Sequence, residues 1–508
     1  MGPRIAGVLG VAALLAAVAA RAEVEVDWGA FVENDLRASV DRVEEPGVER
    51  NQTTLGFDLN ATLIPDRLRL VGDIELVWTG FARDTEFNGL TQRATVSPIY
   101  FESQAAYIEV IDLLPYVDLR VGRQIVSWGA ADMFNPTSNL NAPDMEDPLK
   151  FGELIANEMV RLDWNPGAST FIVTAVWVPV FQPALVPGSA LLAVGDPMSM
   201  FPFTDPETRL AAERVRNMYL RNPEWYDVRQ PDVNADMPEF SLANSQVGLR
   251  VSWLVGLFDM SLSYYRGFSP IPVPVRSVST MEDTGDTAED GTPIKGINTD
   301  VRLVYPRKQV LGFDLAGQLP FLDDAGFWLE GALVFPERTQ MAFDITQVVS
   351  SAQLITGDTV EARPFVKYTI GADYTINEYL FVTAQFIHGF VDEFGAGAIQ
   401  NYWLVNADLK VLQERLLFRI SVMGEVPHED DDLELDEDGD GRVDSFAIGA
   451  TNDGTIGSLV LFPSITARPI DGLELALGSY FLFGHAESKF GMPAAGPSLA
   501  FFRAKASF

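Results

Sequence analysis

The chain has 508 residues, a formal net charge of −35 and a sequence pI near 4.3. With 36 Lys and Arg against 71 Asp and Glu, it is excluded as a general nucleic-acid binder, because phosphate backbones call for clustered cations. It contains no Cys, which fits export through an oxidising compartment, and its 47% of hydrophobic residues fall in short segments.

At the N-terminus, Arg4 precedes an apolar stretch from Ile5 to Ala20 and the small-residue sequence Ala20-Arg21-Ala22. That pattern predicts a signal peptide over residues 1–22, cleaved after Ala22, with 23–508 as the mature barrel. The apolar core, about sixteen residues, falls short of the roughly twenty that a spanning helix needs, and no later stretch supplies them either. Beyond Ala22 the apolar residues recur instead with a period of two. Val24, Val26, Trp28 and Ala30 share a face directly after the cleavage site, so no separate N-terminal plug domain is expected. The period returns at Phe57-Leu59-Ala61-Leu63 and at Leu68-Leu70-Gly72-Ile74-Leu76-Trp78, each a strand with one apolar face.

Further along, Gly122-Arg123-Gln124-Ile125-Val126-Ser127-Trp128-Gly129 is followed by Ala131-Asp132 and Asn135-Pro136, at a strand end that runs into a loop. This run resembles a family of proteobacterial outer-membrane proteins catalogued as a domain of unknown function. The family looks like porins and alginate-export barrels, and the resemblance implies a barrel that moves solutes, hydrophobic or sterol-like ones among them. It assigns no chemical role residue by residue: Arg123 either faces the mouth or bonds neighbouring loop carbonyls.

The longest connector, 182–243, carries an apolar stretch from Leu191 to Phe203 and then Thr204-Asp205-Pro206-Glu207, a capping box with Pro in the first turn. A short amphipathic helix is expected there, and this loop is the first candidate for a constriction. Beyond it, Val247, Leu249, Val251 and Trp253 oppose Gly248, Arg250 and Ser252, and Phe258, Met260, Leu262 and Tyr264 oppose Asp259, Ser261, Ser263 and Tyr265. The three His, at 388, 428 and 485, sit in no Ser or Asp constellation, so an enzyme is not expected. Asp436, Asp438, Asp440 and Asp444, with Gly441, spell the first part of a calcium loop, but Ala447 stands where a bidentate Glu belongs. A weakly held Ca2+ stapling an extracellular loop is the expectation; no other cofactor is. The chain ends with Phe502, Ala504, Ala506 and Phe508 on one face, like the terminal strand that outer-membrane barrels offer to their assembly machinery.

The connectors alternate between tight links, as at Ile64-Pro65-Asp66, Asn165-Pro166-Gly167 and Val255-Gly256-Leu257, and long polar stretches, as at 83–101, 130–155, 269–298, 336–363 and 427–456. Short turns on one side and long loops on the other are the habit of a membrane barrel. The fold expected is therefore all-β, a transmembrane antiparallel β-barrel of about eighteen strands, with sixteen as the alternative and both termini in the periplasm. Trp28, Trp78, Trp164, Trp253, Trp328 and Trp403 fall near strand ends, where an aromatic girdle would sit. On the polar faces, Arg120, Arg161, Asp163, Arg250, Arg302, Lys367, Asp373 and Arg419 are expected to line the lumen. The partners expected are outer-membrane lipid and lipopolysaccharide. Three functions compete: a channel for small solutes or ions, a transporter of hydrophobic or sterol- and lipid-like compounds, and a structural or adhesive barrel with calcium-binding surface loops.

Overall fold

The computed structural model describes residues 24–41, 47–80, 97–147, 152–167, 170–186, 223–344, 346, 354–429, 434–435, 445–446, 455–484, 488–491 and 495–508. The expected signal peptide, the capping-box helix after Thr204, the calcium loop of Asp436, Asp438, Asp440 and Asp444, and His485 lie outside the described residues.

Eighteen antiparallel strands close into one barrel. In chain order they are β1 (Glu25–Ser39), β2 (Val48–Ile64), β3 (Leu68–Thr79), β4 (Ile99–Glu102 and Ala106–Leu114, broken at 103–105), β5 (Val117–Gln124) and β6 (Asn157–Trp164). Then come β7 (Phe171–Val178), β8 (Gln246–Val255), β9 (Phe258–Phe268), β10 (Arg307–Leu319), β11 (Ala325–Pro336) and β12 (Phe365–Thr375). The last six are β13 (Leu380–His388), β14 (Asn401–Val411), β15 (Leu416–Glu425), β16 (Ser458–Ile470), β17 (Leu473–Gly484) and β18 (Leu499–Ser507). The seam joins β1 to β18 in register from Phe31↔Ser507 to Ser39↔Leu499, so the first and last strands of the wall are paired with each other. No helix among the described residues is long and apolar enough to cross a membrane; this chain crosses with strands.

Alternation sets the faces. On β3, Ile74 and Trp78 are exposed outward, whereas Asp73, Val77 and Thr79 point in. The same rule puts exposed Trp28 and Trp164 on the outside. Trp328 departs from the expected girdle: it is an inward residue of β11, buried, with its indole N–H donated to Gln385 Oε1 at 3.2 Å.

The expected short links hold at 65–67, 166–167 and 256–257, and two more occur at 320–324 and 412–415. They define the periplasmic end. At the other end the long connectors do not all behave alike. Three of them build a second sheet of six strands outside the barrel: Tyr226–Val228, Asp232–Asp236, Val273–Thr287, Pro293–Val304, Thr339–Asp344 and Ile355–Val360. Arg302, expected in the lumen, belongs to this outer sheet, where it is exposed and paired with Asp236 at 2.5 Å. The polar pattern around it is genuine, but it serves a hairpin above the membrane.

The part of 182–243 on which a constriction was expected, from Leu191 through the capping box at Thr204, lies outside the described residues. Among the described residues, 125–147 and 152–156 turn into the barrel and cross it. The described part of 182–243 backs that segment from above: Leu185 exchanges backbone bonds with Pro143 and Met145, at 3.2 and 2.8 Å. What fixes 125–147 and 152–156 in the lumen is complementarity to the wall, which loop length does not report.

Candidate functional site

The lumen segment begins where β5 ends and is knotted at its base by Asn141. Asn141 Oδ1 accepts from the Val126 N–H at 2.8 Å, and its amide donates to the carbonyls of Gln124 at 3.1 Å and Ile155 at 2.9 Å. One buried side chain thereby closes a loop of some thirty residues and satisfies backbone groups that water cannot reach.

From that knot the segment reaches the far wall. Glu330 on β11, fully buried, accepts from the N–H groups of Ala130 (3.0 Å), Ala131 (3.1 Å) and Thr137 (2.8 Å) and from the Thr137 hydroxyl (2.7 Å). Among the described residues no Lys or Arg pairs with it, so these four donors are what make its burial tolerable. Beside it, Thr369 donates to the Phe134 carbonyl at 3.0 Å, Gln385 to the Asp132 carbonyl at 3.0 Å and Lys308 to Asn139 Oδ1 at 2.7 Å. On the opposite side Asp147 takes a fork from Arg37, at 2.5 and 2.6 Å, and a bond from Arg50 at 2.8 Å. The segment is thus tied to β1 and β2 at one end and to β10 through β13 at the other.

Apolar packing completes the division. Val126, Trp128 and Leu140 are buried with Tyr265, Val310, Val334 and Phe365 of the wall, and Phe134 with Phe390, Tyr402 and Phe490. The wall makes room with glycine: a Cβ on Gly248 would lie 2.7 Å from the Trp128 ring and one on Gly312 2.7 Å from Thr137. Gly129 has φ +104°, and a Cβ there would meet the Glu330 carboxylate at 2.3 Å. The Trp-Gly element therefore has a steric reason: Trp fills the lumen and Gly lets the backbone approach Glu330.

Two spaces remain. On the outer side, a cavity of about 130 Å³ is lined by the segment, by Lys308 and Lys367, and by the loop 389–394. On the periplasmic side, a cavity of about 250 Å³ runs along β13 to β17. Its wall is mainly apolar, with Phe381, Leu404, Met423, Phe462 and Tyr480, and it carries Arg419 and Asp408 toward the barrel's periplasmic end.

The residues expected in the lumen can now be placed. Arg120, Arg161, Asp163, Arg250, Lys367, Asp373 and Arg419 lie on inward positions of their strands, and most are neutralised in pairs. Arg120 bonds Glu109 at 2.7 Å, Arg161 bonds Asp163 at 3.0 Å, Arg250 bonds Asp314 at 3.0 Å, and Arg419 forks onto Asp408 at 2.6 Å twice. Lys367 donates to the Phe390 carbonyl at 2.5 Å. Such pairs brace a wall as well as colour a pore. Arg123 takes the second of its two expected roles, donating to the Ser103 carbonyl at 2.7 Å. His388 is held by Asn401 at 2.8 Å and stacks on Tyr368. No cluster of three metal-ligating side chains occurs among the described residues.

Sequence reading missed Glu330, Thr137, Asn141 and Asp147. Glu330 had a signal, a carboxylate alternating with Trp328, Ala332 and Val334 on a strand that otherwise reads as apolar throughout. The glycines at 248 and 312, on the inward face of strands, were the other signal.

This arrangement defines the class: an outer-membrane β-barrel of a Gram-negative bacterium whose lumen is crossed by an inward loop. More particularly, the chain belongs to the family described as protein of unknown function (DUF1302), whose model matches residues 111–465 and so includes the whole lumen segment. No curated protein matches the chain. Solved structures with a similar fold include OmpT of Vibrio cholerae in its trimer form (10% identity, TM-score 0.34, covering 96% of this chain and 99% of that one). OccAB3 of Acinetobacter baumannii (9%, 0.47, 95% and 99%) and opdK of Pseudomonas aeruginosa (7%, 0.47, 95% and 99%) are others.

Proposed function

We propose that the protein is a selective outer-membrane channel for small amphipathic solutes. Of the expected functions this joins the first two: a porin-like path, but with a lumen suited to partly apolar cargo. The observation that carries it is the lumen segment 125–156, tied to both sides of the wall and packed against it by Trp128, Leu140 and Phe134. A bare barrel of eighteen strands encloses a wide aqueous pore. Here the segment divides that pore and leaves an aromatic and aliphatic cavity with an Arg419–Asp408 pair at one end. A solute with a ring and one polar end finds both surfaces there, whereas a fully hydrated solute gains little from such a wall.

The test is solute flux into liposomes carrying the purified protein, with a pentose compared against benzoate, combined with single-channel conductance in planar bilayers. The reading expects small conductance and benzoate entry several-fold faster than pentose entry. Large ohmic steps with equal entry of both solutes would overturn it in favour of an open aqueous pore.

A further inference from the structure

Strand register stacks the inward residues around the periplasmic-side cavity in three levels. Furthest from the periplasm, Leu404 pairs with Met423 and Met423 with Val460. These pack with Phe134 of the lumen segment and with Phe490 into an apolar ceiling. Two residues toward the periplasm the register runs Thr383↔Asn406, Asn406↔Ser421 and Ser421↔Phe462. One level further it runs Phe381↔Asp408 and Asp408↔Arg419. Residues directly opposite on neighbouring strands stand about 5 Å apart, so each level is a continuous band across the wall.

The middle and lower bands differ in what their polar groups bond to. Asp408 and Arg419 close on each other through two bonds of 2.6 Å. Thr383, Asn406 and Ser421 are neighbours in the same way, yet among the described residues none of the three side chains has a hydrogen-bond partner, and neither does the hydroxyl of Tyr480 on β17. Thr383 and Tyr480 are each only 7% exposed. All four residues line the cavity, and the surface that their polar atoms retain opens into it. A buried hydroxyl without a partner is costly, so these groups favour an occupant that bonds them.

Charge narrows what that occupant is. Among the described residues Arg419 is the one cation lining the cavity, and its fork is taken by Asp408, while Asp132 of the lumen segment adds a second carboxylate. A carboxylate entering here finds no free cation and an excess of negative charge. The middle band holds hydroxyls that give or take, an amide NH2 that gives and an amide oxygen that takes. A carboxylate only takes and an ammonium only gives, whereas an uncharged amide or hydroxyl does both. Size narrows it further: the cavity, at about 250 Å³, exceeds the roughly 150 Å³ that holds a benzene, so one ring with a small polar end fits.

We propose that Thr383, Asn406, Ser421 and Tyr480 form a binding site for a small ring compound whose polar end is uncharged, an amide or a hydroxyl. The ring lies against Phe134, Leu404, Met423 and Phe462, and the polar end meets the middle band. The site deepens the channel reading and rests on it for the claim that the occupant is cargo.

Benzamide, benzoate and benzamidine share a ring and a planar end and differ in charge: neutral, negative and positive. Their binding is measured by isothermal titration calorimetry on the purified, folded full-length barrel in detergent. Tyr480→Phe and Thr383→Val, each checked for heat-modifiable migration, remove one hydroxyl at nearly constant shape. The site expects benzamide to bind several-fold more tightly than either ion, and each substitution to weaken benzamide by about two- to tenfold, the loss of one hydrogen bond. Equal affinity for all three compounds, benzamide binding unmoved by both substitutions, a preference for either ion, or no benzamide binding overturns it. Calorimetry requires no transport. Large ohmic steps with unselective flux would sink the channel reading while benzamide still bound, and selective flux without benzamide binding would sink this site alone.

Discussion

Glu330 holds the lumen segment by four hydrogen bonds, and replacing it should be felt both in stability and in conductance. Glu330→Gln keeps the volume but turns an NH2 group toward donors that want an acceptor, so about 2–3 kcal/mol is expected to be lost. The expected outcome is a lower denaturant midpoint with unchanged slope and a several-fold larger single-channel conductance, because the segment is released. Conductance equal to wild type in a folded variant would mean that the remaining ties, from Arg37 and Arg50 to Asp147 and from Thr369 and Gln385, together with apolar packing, fix the segment without Glu330. A different behaviour is expected at Arg250, which supplies the charge opposite buried Asp314. Arg250→Met strands that carboxylate with only the Ser261 hydroxyl and should cost about 3 kcal/mol, whereas the double change with Asp314→Leu should recover most of it. The midpoints of unfolding for the single and double variants decide this directly.

At the scale of elements, β-strands were legible because alternation is forced by a lipid face and a polar face, and the pattern at Leu68 to Trp78 or Phe258 to Tyr264 has no other simple reading. The path of 125–156 was not legible from periodicity. A loop's direction is set by what receives it, and its receivers, Glu330, Thr369 and Gln385, lie about two hundred or more residues away in the chain. The inward loop 389–400 carries its own control. Burial pushes the Asp392 carboxyl up, but its ion pair with Lys489 at 2.5 Å and the nearby charge of Lys367 prevail and hold it below the usual carboxylate range. A group whose pKa is depressed on folding stabilises above its unfolded value, and that contribution is lost as pH falls through the folded value. The tie between this loop and residues 488–491 should therefore hold at neutral pH and loosen only below the usual carboxylate range. Amide protection factors of 389–400, with the intrinsic pH dependence of exchange divided out, should fall on acidification in the wild type and be already low, and pH-insensitive, in Asp392→Asn.

For the whole molecule the question is which parts the barrel needs. The seam between β1 and β18 is structural, and removal of 499–508 takes away the partner of both β1 and β17. The outer sheet stands differently. Its strands pair with one another, as in Val273–Thr287 with Pro293–Val304, and among the described residues not with any wall strand. Cooperative stability tracks contacts, so a unit that shares no ladder with the barrel should be separable from it. Replacing 273–304 by a short Gly-Ser link between β9 and β10 is expected to leave a folded, heat-modifiable barrel, since Phe268 and Arg307 already pair across the gap it bridges. The same replacement should leave benzoate flux near wild type, because the lumen segment takes its ties from β1, β2 and β10 to β13. Loss of the folded barrel would show instead that the outer sheet nucleates the pairing of β9 with β10, and that assembly depends on a part of the chain that never enters the membrane.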